Sequence, residues 1–173
     1  MPIPGTEHDS RVKLECMRKR NIPPARRIAQ SDRDHRLDLN TAALVEVTSE
    51  EEDYPIESAL IPGESKGWRA AEPGTHTIRL IFDQPQKLKR ISLAFEETKA
   101  PRTQEFVLRW STEREGKLHE IVRQQWNFSP PHTTTEVEEY RVDLSEVTVL
   151  EMTITPDIAG GLARASLSSL AIY

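Results

Sequence analysis

The 173 residues contain a single cysteine, Cys16. A lone cysteine cannot form a disulfide within the chain, so packing must stabilise the fold, as is usual in a reducing compartment. No apolar run approaches the roughly 18 residues that a membrane-spanning helix needs. Residues 1–20 also lack the apolar stretch of a secretory signal. These absences predict a cytoplasmic protein with no membrane partner.

Arrangements of residues that support catalysis are missing as well. The sequence has no Gly-x-Ser-x-Gly turn to present a nucleophilic serine, and its glycine pair at 160–161 lacks the lysine of a phosphate-binding loop. The five histidines are scattered, with no pair at the spacing of a metal site: His8, His35, His76, His119 and His132. The sequence therefore predicts neither an enzyme nor a bound metal or other cofactor.

Charge is distributed unevenly along the chain. Residues 1–40 contain nine Lys and Arg against six Asp and Glu, whereas the remainder contains fourteen against twenty-two. An acidic body repels a phosphate backbone, so a nucleic-acid partner is not expected. The basic segment "MRKRNIPPARR" at 17–27 fits either a solvated tail or a contact with an anionic partner.

Hydrophobic patterning divides the chain near residue 41. Residues 1–40 contain no aromatic residue and four of the twelve prolines, which predicts an extended or partly disordered arm. From Thr41 to Tyr173, apolar and polar side chains alternate, as in "HTIRLIF" at 76–82 and "RISLAF" at 90–95. Turn-like clusters such as "DQPQ" at 83–86 separate about eight such strands.

Eight short strands without a helical layer must bury their apolar faces against each other. The sequence therefore predicts an all-β jelly-roll β-sandwich of about eight antiparallel strands. Residues 41–173 form this sandwich, and residues 1–40 precede it as an irregular N-terminal arm.

The segment "SALIPGESKGWRA" at 58–70, followed by "HTIRLIFDQPQKLKRISLAF" at 76–95, resembles the first half of a discoidin (coagulation-factor type C) domain of the galactose-binding-like superfamily. The resemblance implies an eight-stranded sandwich that binds sugars, lipid head groups or proteins through loops at one end. It also implies that Trp68 closes the core and is not a ligand platform. Many relatives bind calcium at positions that here read Ile61, Gly63–Glu64 and Ser168–Ser169, so no calcium ion is expected.

The best candidate for a sugar-binding loop is "QQWNFSPPHTTT" at 124–135. Sugar recognition needs an aromatic face for the C–H surface of the ring and planar polar groups for its hydroxyls. An alternative is that the two aromatic residues of this loop face inward at the end of the preceding strand, and that the nearby arginine is a solvated surface residue. The predicted ligand-binding residues are Trp126, Asn127, Phe128, His132, Arg102 and Tyr54.

Two functions follow from these patterns. The first is a noncatalytic binding module that takes carbohydrate through loops at one end of the sandwich. The alternative is a cytoplasmic scaffold for protein–protein interaction, without a small-molecule ligand, that recruits its partner through a sandwich edge or the basic arm. An accessory domain of an enzyme is a third hypothesis with less support in the sequence.

Overall fold

Eight strands and two single-turn helices make up the part of the protein that the computed structural model describes, residues 35–64 and 66–173. The helices are α1 (Leu39–Ala42) and α2 (Glu57–Leu60). The strands are β1 (Ala43–Val47), β2 (Trp68–Pro73), β3 (His76–Glu96), β4 (Arg102–Ser111), β5 (His119–Phe128), β6 (Thr135–Thr155), β7 (Arg164–Leu167) and β8 (Ser169–Ile172). All strand pairs are antiparallel.

Strands β3 and β6, each 21 residues long, belong to a six-stranded sheet, and β2 pairs with β7 in a separate two-stranded sheet. The first half of β3 lies in a sheet of order β1-β3-β6-β4-β5. Its second half pairs with the first part of β6 and with β8. Between the two halves the register with β6 shifts three times, from Ile81 to Arg90. Such irregularities let a strand bend from one layer into the other.

The predicted turn at residues 83–86 is wrong, because β3 continues through this polar segment without ending. The segment is the bend between the two halves of β3. It carries the exposed, turn-prone residues that a hairpin would also use, while the residues on both sides remain paired with β6. Composition alone does not distinguish such a bend from a loop that reverses the chain.

The alternation read from the sequence produces the core. The Phe95 ring of β3 stacks on Phe106 of β4 with centroids 5.1 Å apart, which brings the two layers into contact. The predicted all-β sandwich is confirmed. Six inward residues of β3 are each at most 1% exposed: Ile78, Leu80, Phe82, Ile91, Leu93 and Phe95.

Trp68 is part of this core, as the resemblance implied, and is 1% exposed. Its Nε1 donates a hydrogen bond to the carbonyl of Ser49 at 3.2 Å, so the buried indole is satisfied. The preceding Gly67 has a φ of +68°, and a Cβ there would lie 2.6 Å from the carbonyl oxygen of Leu167. Glycine at 67 thus lets β2 pair closely with β7.

The packed body includes residues upstream of Thr41. Leu39 is buried, the Leu37 N–H donates to the carbonyl of Ile172 at 2.7 Å, and Arg36 Nη2 donates to the carbonyl of Leu60 at 2.7 Å. Residues 1–34 lie outside the described residues, so the extended arm stays a prediction. In the described part of the chain, neither helix is long and apolar enough to cross a membrane.

Candidate ligand-binding site

A cavity of about 760 Å³ opens between the loop that joins β3 to β4 and the loop that joins β6 to β7. Residues of β2 and β7 complete its lining. The volume is within the range of sites for small molecules. Four basic and three acidic side chains line the cavity, which makes it polar: Arg69, Lys99, Arg102, Arg164, Glu96, Glu97 and Asp157.

Glu97 shapes the β3–β4 loop. Its Oε1 accepts hydrogen bonds from the backbone N–H groups of Lys99 at 2.6 Å and Ala100 at 3.2 Å. Its own N–H donates to the carbonyl of Thr134 at 2.8 Å. Its Oε2 lies 3.0 Å from Nε of Arg102. One carboxylate therefore both folds the loop and holds the first residue of β4.

Arg102, one of the predicted ligand-binding residues, lines the cavity with a side chain that is only 6% exposed. Its Nη1 donates to the carbonyl of Arg164 at 3.1 Å, and its Cζ lies 6.0 Å from the centroid of the Phe128 ring. Burial lowers the pKa of Arg102, and the charges of Glu97 and Asp157 oppose that shift. The alternative of a solvated surface arginine is wrong, because the guanidinium is enclosed and paired.

Asp157 organises the β6–β7 loop. Its Oδ1 accepts from the N–H of Ala159 at 3.0 Å, and its carbonyl accepts from the N–H of Gly160 at 3.0 Å, which makes an Asx-type turn. The Ile158 N–H donates to the carbonyl of Thr103 at 2.9 Å and ties the loop to β4. Gly160 has a φ of +84°, a conformation that favours glycine. Both loops around the cavity are thus fixed by hydrogen bonds.

The arginine wall consists of Arg69 on β2 and Arg164 on β7, joined by the carboxylate of Glu51. The Oε2 of Glu51 lies 3.2 Å from Nη1 of Arg69, and its Oε1 pairs with Nη1 of Arg164. The Arg69 guanidinium also lies 3.9 Å above the centroid of the Tyr54 ring. Tyr54, predicted to contact ligand, therefore supports a residue that lines the cavity and is not itself among the lining residues.

The other four predicted ligand-binding residues do not share one surface. Phe128 ends β5 and is 2% exposed in the core, and Trp126 packs half-buried against it. The alternative that both aromatic residues face inward is confirmed. Asn127 is exposed and accepts a hydrogen bond from Thr103 Oγ1 at 2.7 Å, while His132 is exposed in the following turn. None of the four lines the cavity.

The ligand-binding residues predicted from the sequence did not include four residues in or beside the cavity: Glu51, Arg69, Asp157 and Arg164. The arginine wall forms because β2 pairs with β7, and nothing in a single sequence gives that pairing across roughly a hundred residues. Asp157 had a local signal, since an Asp followed closely by glycines is typical of a structured turn. In the ranges 35–64 and 66–173, no three His, Cys, Asp or Glu side chains gather as metal ligands would.

A second polar cluster lies on the inward face of β6. Glu136 is opposite Phe95 and Glu138 is opposite Leu93, so both carboxyl groups share a face with core residues. Burial raises the pKa of Glu136 to about 7, and hydrogen bonding to Glu138 and the charge of Glu138 add to the shift. Neither residue lines the cavity, so we expect the ionisation of these carboxyl groups to change the stability of the fold and not the binding of a ligand.

No protein-family model matches the chain, and no curated protein matches it. Solved structures do. The family 32 CBM, a carbohydrate-binding module, from C. perfringens NanJ in complex with galactose is 15% identical, covers 79% of this chain and 96% of its own, and has a TM-score of 0.58. The CBM32 of AlyQ in complex with 4,5-unsaturated mannuronic acid is 14% identical over 80% of this chain and 98% of its own, with a TM-score of 0.58.

A third similar structure is CpGH89CBM32-5 from Clostridium perfringens in complex with GalNAc-β-1,3-galactose. It is 16% identical over 80% of this chain and 99% of its own, with a TM-score of 0.57. At such identities the likeness is one of fold. The described chain has the discoidin-like, galactose-binding-like β-sandwich fold that the sequence resemblance implied.

Proposed function

We propose that the protein is a noncatalytic carbohydrate-binding module whose ligand occupies the cavity between the β3–β4 and β6–β7 loops. The observation that carries the proposal is the cavity, about 760 Å³ in volume, with charged groups held in place by loop backbone. Fixed polar groups lower the cost of ordering a hydroxyl-rich ligand. The solved structures of similar fold in complex with galactose, an unsaturated mannuronic acid and GalNAc-β-1,3-galactose support this ligand class.

Recognition in this cavity depends on arginine and not on an aromatic platform. Among the described residues that line the cavity there is no aromatic ring, and the largest apolar residue is Leu162, which is 87% exposed. A site without aromatic stacking favours weak binding. We expect dissociation constants in the millimolar to micromolar range, which correspond to roughly −4 to −8 kcal/mol.

Two of the three carboxylates that line the cavity, those of Glu97 and Asp157, and the carboxylate of Glu51 beside it support a binding role over a catalytic one. Glu97 holds Arg102 and its own loop, and Glu51 bridges two arginines. Asp157 accepts a backbone hydrogen bond. A glycosidase needs a carboxyl group that is available to exchange a proton with the substrate. Carboxylates that are already paired with guanidinium and backbone N–H groups hold these donors in place for a ligand and are not available for proton exchange.

Calorimetric titration with a panel of neutral and acidic sugars tests the proposal. We expect weak saturable binding to the wild type and its loss in Ala100→Trp, because the indole would occupy the cavity that residue 100 lines. The matched control is Thr112→Trp, at an exposed residue outside the cavity, which should bind as the wild type does. Heat signals that survive Ala100→Trp unchanged, or no binding by any sugar, would contradict the proposal.

The alternative function, a scaffold for protein–protein interaction, has one observation in its favour. In the described chain, residues 136–144 of β6 pair with β3 alone, and Val137 on this strand is 67% exposed. An unpaired strand edge can accept a strand from a partner. The scaffold function would be supported if the wild type captured a native partner that Val137→Lys fails to capture, and if no sugar bound to the wild type. Under either function the cytoplasmic location stays a prediction.

A further inference from the structure

The arginine wall carries more positive than negative charge. Its two guanidinium groups share one carboxylate, that of Glu51, and each uses its Nη1 to do so. A guanidinium has five N–H donors, and among the described residues the remaining donors of Arg69 and Arg164 meet no protein acceptor. The two side chains are 33% and 43% exposed and both line the cavity, so these donors are accessible to a ligand.

The opposite side of the cavity has no excess of positive charge. It carries Arg102 and Lys99 against Glu97 and Asp157. Arg102 is paired with Glu97 and also feels the charge of Asp157. Glu96 lines the cavity too and adds a further negative charge, and both Glu96 and Lys99 are solvent-exposed. The excess positive charge is thus confined to the arginine wall.

We infer that the cavity selects a sugar that carries a carboxylate, a hexuronate, and places that carboxylate against Arg69 and Arg164. The inference rests on the proposed function and names the ligand class for the same site. Guanidinium groups bind carboxylates through two parallel N–H donors, a geometry that a neutral hydroxymethyl group cannot match. The Tyr54 ring beneath Arg69 holds that guanidinium in place before the ligand arrives.

The test compares galacturonate with galactose, which differ only in the group at C6, in calorimetric titrations at low ionic strength. We expect galacturonate to bind about tenfold more tightly, as for one charge-assisted pair. Added salt should weaken this preference, because the arginine wall is partly exposed. Acetate serves as the probe for a carboxylate without a sugar ring and should bind at least about tenfold more weakly than galacturonate.

Two variants change the arginine wall in opposite directions. Arg164→Gln should reduce the galacturonate-to-galactose ratio to near one, because a cation is lost. Glu51→Gln keeps the shape of the side chain but removes the competing carboxylate, so the ratio should rise severalfold. Arg123→Gln is the matched control: this arginine pairs with Glu105 and Glu120, is 46% exposed, and lies outside the cavity. Its ratio should equal that of the wild type.

The outcomes separate the inference from the function on which it rests. Equal wild-type affinity for galacturonate and galactose would overturn the carboxylate inference and leave sugar binding intact. Acetate that binds as tightly as galacturonate would also overturn it, because the arginine wall would then hold any small anion. If neither sugar binds to the folded wild type, the proposed function fails and the inference fails with it.

Discussion

Segment 124–135 and the cavity between the β3–β4 and β6–β7 loops have opposite characters. The segment holds Trp126 and Phe128, the residue types expected of a sugar platform, yet both turn inward. The cavity holds ion-paired arginines, which in sequence look like ordinary surface residues, yet these line a volume of about 760 Å³. Residue type thus predicts the position of a cavity less well than the positions at which the strands end.

The difference has a simple physical cause. β5 continues to Phe128, so alternate side chains up to that residue enter the core. β3 and β6 instead end at Glu96 and Thr155, and the loops that follow cannot bury their backbone in a sheet. Their polar groups are satisfied by side chains such as Glu97 and Asp157, and a cavity with fixed walls results.

The largest expected effect is that of Phe128→Ala. Removal of a fully buried ring should lower the free energy of unfolding by about 3–5 kcal/mol, measured by urea denaturation. The control is His132→Ala, at an exposed position in the same segment, where we expect a change within about 0.5 kcal/mol. Equal, small effects at the two positions would show that Phe128 does not belong to the core.

The next largest expected change in the free energy of unfolding is that of Arg102→Ala. The change leaves Glu97, 14% exposed, without its cation, and we expect a loss of about 3 kcal/mol in the free energy of unfolding. Arg123→Ala removes an exposed arginine from a similar pair and should leave the free energy of unfolding almost unchanged. If denaturation gave the same loss for both variants, the ion pair of Arg102 with Glu97 would contribute no more to stability than a pair on the open surface.

A smaller effect concerns pH and Glu136, which follows segment 124–135. Its pKa of about 7 in the folded state exceeds its ordinary value of 4.5, so between these values the folded protein binds more protons than the unfolded chain. The free energy of unfolding should therefore fall as pH rises through this window and then level off. Glu136→Gln should remove this fall and stabilise the protein by on the order of 2 kcal/mol near pH 8.

Denaturation curves at about pH 5 and pH 8 measure this effect. Glu139→Gln is the control, because Glu139 lies on the same strand with a side chain that is 45% exposed and paired with Arg90. A pH dependence that persists in Glu136→Gln and disappears in Glu139→Gln would show that Glu136 is not the group whose raised pKa causes it.

The sequence was sufficient for the fold class and for the inward residues of the strands. Residues such as Ile78, Leu80 and Phe82 alternate with polar neighbours, and that period defines the buried face without knowledge of the partner strand. Arg102 was found because it lies at a loop end. Glu51, Arg69 and Arg164 were not found, because the register of β2 with β7 brings them together.

The most direct test of the account is an amide NMR titration of the wild-type protein with galacturonate. The account predicts saturable shifts for residues 97–101 and 157–164, while the amides of residues 126–132 stay unchanged. Shifts concentrated in residues 126–132, with none at the two loops, would contradict it and return the site to the aromatic segment.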